Sequence, residues 1–112
     1  MITIYKKEQL VEKLGKFIGT TNMVSHKQLV RGNCFGRPVP NQFILEFEHG
    51  KAFQSYNTLI AVKFNNCYVY LNEKFDHTAT TRNYTTDFLE RSYKEIKKLC
   101  ADGTYTLATF EW

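Results

Sequence analysis

From Lys7 to Ile18, apolar side chains fall at Leu10, Val11, Leu14, Phe17 and Ile18, with Glu12, Lys13 and Lys16 between them. That spacing predicts an amphipathic helix, with Gly19 placed to stop it. Ahead of it, Ile2–Tyr5 reads as a short edge strand. Between Thr20 and Gln42 no period holds. This stretch ends in Arg31-Gly32-Asn33-Cys34-Phe35-Gly36-Arg37-Pro38-Val39-Pro40, whose glycines and prolines predict a long irregular loop.

Two hairpins follow. Phe43–Glu48 and Lys51–Gln54 flank His49-Gly50, where the glycine is expected to supply a positive φ. Leu59–Phe64 and Cys67–Leu71 flank Asn65-Asn66. A two-residue loop there sets Phe64 opposite Cys67, Val62 opposite Val69 and Ile60 opposite Leu71 on a buried face. Lys63, Tyr68, Ala61 and Tyr70 are left on the other face, open to water or a partner. Farther on, Tyr84, Phe88, Leu89, Ser92, Tyr93, Ile96 and Leu99 recur at helical spacing. They predict one helix, capped by Thr80 or Thr81 and ended by Asp102-Gly103. Thr104–Phe110 reads as a closing strand. The fold expected is a single α+β domain over 1–112, a mostly antiparallel sheet of about four to five strands packed with two helices.

Composition narrows the class. The 112 residues are 43% hydrophobic and 15% aromatic, which suits a globular chain. Apolar runs are too short to span a bilayer, and Met1–Lys7 lacks a signal-peptide core, so a cytoplasmic location is expected. Cys34, Cys67 and Cys100 are widely spaced, with no Cys-x-x-Cys pair. Cys67 and Cys100 are expected to be reduced and packed, and neither a metal nor a cofactor is expected. A net charge of +4 argues against a carboxylate-coated mimic of DNA and permits contact with phosphates or an acidic protein.

No coherent catalytic set emerges. Asp76-His77 is the best acid–base candidate and would suit a small hydrolase or nuclease. Cys34 with His26 would be a thiol and its base. Binding chemistry is better represented. Arg31, Phe35 and Arg37 combine guanidiniums with an aromatic on the glycine-rich loop, a mixture that suits phosphate clamping or a protein hot spot. Arg91, Lys94, Lys97 and Lys98 form a basic strip. With Tyr68 and Tyr70, the candidate binding residues are Arg31, Phe35, Arg37, Tyr68, Tyr70, Arg91, Lys94 and Lys98.

Ser55-Tyr56-Asn57-Thr58-Leu59-Ile60-Ala61-Val62, the strand ending at Leu71, then Thr80-Thr81 and Phe88-Leu89 resemble a pattern, SYxTxVA…TTxxHxxxFL, found in small uncharacterised proteins of bacteriophages and mobile elements. Tyr84 stands where that pattern has histidine. The resemblance carries no activity. It implies an accessory protein of an infected bacterial cell that binds and inhibits or redirects a host protein or ribonucleoprotein complex, such as an anti-CRISPR-like inhibitor of defence. Direct nucleic-acid binding is the alternative. The Ser55–Thr58 residues also have a local role, bending the chain between two strands.

Overall fold

The computed structural model describes residues 3–24 and 38–112. In chain order the elements are β1 (Thr3–Lys6), α1 (Lys7–Leu14), β2 (Phe17–Val24), β3 (Pro38–Phe47), β4 (Gly50–Ser55), β5 (Thr58–Phe64), β6 (Val69–Asn72), α2 (Ala79–Leu89), α3 (Tyr93–Ala101) and β7 (Tyr105–Glu111). All seven strands belong to one sheet, ordered β1-β7-β6-β5-β4-β3-β2. β2 to β6 form an antiparallel meander. β7 then lies parallel to β6 on one side and to β1 on the other. Among the described residues the sheet is therefore mixed, with seven strands and three helices packed on it, where the sequence pattern predicts four to five mostly antiparallel strands and two helices.

Both faces of the sheet are covered. On one face α2 and α3 pack over Phe53, Ile60, Ala61, Val69, Leu71 and Tyr105. On the other, Leu10 and Leu14 of α1 meet Leu45, Phe47, Ala52, Leu59, Val62 and Phe64. Neighbours Ala52 and Phe53, or Ala61 and Val62, go to opposite cores, as strand alternation requires. A bulge between β4 and β5 leaves Ile60 unpaired and puts it with Ala61 in the same core.

Several local expectations are corrected. α1 stops at Leu14, and Gly15 takes the positive φ of 82°. Phe17 and Ile18 continue the apolar spacing but belong to the edge strand β2, where they are 50% and 65% exposed. Helical spacing misled here because β2 has no clean alternation of its own. The predicted long helix is two. Glu90 turns left-handed at φ 56°, and Ser92 starts α3 with a capping box. Its hydroxyl accepts from the Glu95 amide at 3.2 Å, while Glu95 accepts from the Ser92 amide at 3.4 Å. α2 is capped by Thr78, not Thr80 or Thr81; the Thr81 amide donates to its hydroxyl at 3.1 Å.

The first hairpin forms where expected, but Gly50 sits in β4 without a positive φ. What requires glycine is space: a Cβ would lie 2.6 Å from the Lys63 carbonyl oxygen and 2.9 Å from Leu14 Cδ2. The second hairpin is shifted by one residue, with Val62 opposite Tyr70 and Lys63 opposite Val69. Its loop has three residues, because Cys67 adopts φ 74° and its amide donates to Phe64 O at 2.9 Å. Cys67 is consequently exposed at the turn rather than packed against Phe64. One step of register exchanges the faces of β6. Tyr70 thus joins the α1 side, stacked on Tyr5 with centroids 4.5 Å apart.

Candidate macromolecule-binding surface

A cleft opens at the break between α2 and α3, next to the predicted basic strip. It has a volume of about 810 Å³, and Arg82, Thr86, Glu90, Arg91, Ser92 and Tyr93 are among its lining residues. The Arg82 guanidinium lies 5.3 Å from the centroid of the Tyr93 ring, within cation–π range. Tyr93 is itself fixed, its hydroxyl donating to Asp76 Oδ2 at 2.6 Å. That bond to a carboxylate, followed by partial burial, raises the Tyr93 pKa, so the phenol stays protonated as a donor.

Arg91 also lines the cleft. Its Nε donates to Tyr105 Oη at 3.2 Å, and its NH1 reaches Glu95 Oε2 at 3.4 Å. The hydroxyl contact and then the carboxylate strengthen its hold on charge. Two guanidiniums are therefore set at one cleft by neighbouring aromatics, with edges still presented to solvent. Lys94 and Lys98 are exposed on α3. Lys97, also exposed, lies 3.8 Å from Asp76 and 5.9 Å from the Tyr93 ring centroid.

Among the remaining sequence-predicted residues, Tyr68 is 65% exposed at the β5–β6 turn. Tyr70 is half-buried: besides the Tyr5 stack, its hydroxyl accepts from Lys13 Nζ at 3.1 Å and its ring meets Phe64 edge-on at 5.1 Å. That same bond raises the Lys13 pKa. Tyr70 thus serves to seat α1. Arg31, Phe35 and Arg37 lie outside the described residues, as do Cys34 and His26.

The Asp76–His77 pair is not assembled. Asp76 is engaged with Tyr93 and Lys97, whereas His77 lines a separate groove that does not include Asp76. Arg82 also lines the cleft and is not among the sequence-predicted residues, because nothing in the spacing of one long helix sets it against Tyr93. Ser92-x-x-Glu95 was the available signal: a capping box there ends one helix and starts another.

Residues 3–103 match a family of unknown function, DUF8033, and the chain belongs to that family. No curated protein and no solved structure matches it. Among the described residues no helix is long and apolar enough to cross a membrane.

Proposed function

We propose that this protein is a small accessory protein of phage type that binds and inhibits or redirects a macromolecular complex of a bacterial host. The partner class is a protein or ribonucleoprotein assembly, such as a defence complex of the kind anti-CRISPR proteins target. The observation that carries this reading is the cleft lined by both Arg82 and Arg91, each held by an aromatic neighbour. Arginine preorganised on tyrosine suits both protein hot spots and phosphate groups, because its planar fork loses little freedom on binding.

Retention of a partner from bacterial lysate by the wild-type protein and by R82A/R91A tests it, with and without nuclease. The double replacement should weaken retention by roughly 2 kcal/mol or more, the scale of an interface hot spot. A well-folded bait that retains nothing at low salt, or a double variant that binds as well as wild type, overturns the proposal. Exposed Lys94 and Lys98 favour a second reading, direct nucleic-acid binding. A gel-shift series across salt separates the two, since binding to phosphates must weaken steeply as salt rises.

A further inference from the structure

A second concavity lies away from the α2–α3 cleft. The β4–β5 turn and the β6–α2 loop come together at one end of the sheet. They bring Ser55-Tyr56-Asn57-Thr58 against His77-Thr78 and Thr81, across a groove of about 240 Å³ floored by Ile60. Residues some 20 positions apart, with no sequence motif of known chemistry between them, thus line one site.

Its charge is one-sided. Among the described lining residues Lys74 and His77 can carry positive charge, and none is a carboxylate. Asn72 sets this rim: its Nδ2 donates to Leu59 O at 3.0 Å, and its Oδ1 accepts from the Lys74 amide at 2.9 Å. Thr78 caps the eleven-residue helix α2 at the same place. The first-turn amides and the positive end of the helix dipole therefore add to the anion preference.

At this end of the sheet, among the described residues, one buried polar atom lacks a partner, Gln42 Oε1, and one hydroxyl, that of Ser55, opens unbonded into the groove. Ser55 is 7% exposed, lines the groove, and its hydroxyl makes no hydrogen bond among the described residues. Gln42, opposite Ser55 in the β3–β4 register, is 2% exposed, and its Oε1 has no partner. Buried acceptors such as Gln42 Oε1 are nearly always satisfied, whereas the Ser55 hydroxyl faces the groove with its hydrogen-bonding capacity free for a ligand. At the rim Tyr56 is 62% exposed and held at φ 55°, an uncommon conformation for a bulky residue. Its amide donates to Asn41 O at 2.6 Å, and its carbonyl accepts from Gln54 Nε2 at 2.7 Å, so the ring is carried on a fixed turn.

We propose that this groove binds a nucleotide. The phosphate sits at Lys74, His77 and the α2 N-terminus; the base lies on Tyr56 and bonds the Ser55 and Thr58 hydroxyls. The volume suits one nucleotide, free or at the end of a strand, and both sources share this chemistry.

The test is an NMR titration of the labelled full-length protein with the four nucleoside 5′-monophosphates, the matching nucleosides, inorganic phosphate and 5′-phosphorylated dinucleotides. At least one monophosphate should bind and shift Ser55, Tyr56, Lys74 and Thr78, at least tenfold tighter than its nucleoside and than phosphate alone. K74A and S55A should each weaken binding at least tenfold. Y56A should lose the preference for nucleotide over phosphate. A dinucleotide that binds tighter than the monophosphates identifies a strand end; the reverse order identifies a free nucleotide. If S55A does not fold, the exposed position Lys74 carries the test alone. Absence of binding at millimolar monophosphate, equal binding of nucleosides, or affinity unchanged by K74A overturns the proposal. R82A/R91A should bind nucleotides like wild type, so the two sites fail or succeed separately.

Discussion

Gly50→Ala is the sharpest test of how the two layers under α1 meet. The added methyl carbon would fall 2.6 Å from the Lys63 carbonyl oxygen, 2.9 Å from Leu14 Cδ2 and 3.1 Å from Phe64 Cα. The leucine methyl can rotate away. The carbonyl and the Cα cannot, because they are main chain of β5 paired directly with β4. Relief then requires the two strands to part inside a core where Ala52, Leu14 and Val62 are each 0% exposed. Overpacking of this kind costs about 1–3 kcal/mol. A backbone clash belongs in the upper half of that range, so a loss of about 2–3 kcal/mol is expected. For a chain of this length, 1 kcal/mol shifts the melting temperature by about 4 °C. A fall of roughly 8–12 °C should appear in thermal melts followed by circular dichroism. Gly19→Ala is the matched control: nothing lies within 4 Å of its added carbon and its φ is not positive. It should be neutral or gain about 0.4–1 kcal/mol by restricting the unfolded chain. A Gly50→Ala melt within about 2 °C of wild type, or a Gly19→Ala loss as large as that of Gly50→Ala, would refute the packing argument.

Ser92→Ala removes the cap that separates α3 from α2 and should cost about 1 kcal/mol, read as a lower urea midpoint with unchanged slope. Glu95 carries a pH prediction. Its bonds from the Ser92 amide and hydroxyl, and then from Arg91, lower its pKa below the ordinary glutamate value of about 4.3. A depressed folded pKa gives stability that is present above the unfolded value and lost as pH falls through the folded one. Acid titration of stability should therefore contain a contribution below about pH 4.3. E95Q, which keeps a capping-box side chain but no charge, should abolish that contribution while retaining α3. An unchanged acid profile in E95Q would sink the assignment.

The antiparallel middle of the sheet was readable because its strands carry β-branched and aromatic residues bounded by turn formers. β4, β5 and the end of α3 fall close to where the pattern puts them, whereas β3 begins at Pro38, five residues before the expected Phe43 and inside the stretch expected to be irregular loop. Register was not readable, because Cys67 occupies a left-handed position that asparagine or glycine usually marks. Glu90 hides the α2–α3 break in the same way. The parallel arrangement of β1, β7 and β6 leaves no local trace at all, since long-range pairing is decided by tertiary packing. The candidate sites were only half legible. Arg91, Lys94 and Lys98 were visible as charge, but the partnership of Arg82 with Tyr93 depends on the angle between two helices. Ser55 and His77 become neighbours only once the sheet is assembled.

The pairing of β1 with β7 also fixes an order of events. Thr3 lies opposite Ala108, so β1 finds its strand partner only after β2 to β6 and the helices α2 and α3 have been made. During synthesis the β2–β6 meander, whose contacts are local, can close while β1 still lacks a neighbour; long-range pairing is the slow step in folding. The sole tryptophan, Trp112, lies beside this seam, with Lys7 Nζ 5.5 Å from its ring centroid. Its emission is consequently a built-in reporter of this final closure. In stopped-flow refolding, fluorescence should lag the circular dichroism signal, separating formation of the meander from the pairing of β1 with β7.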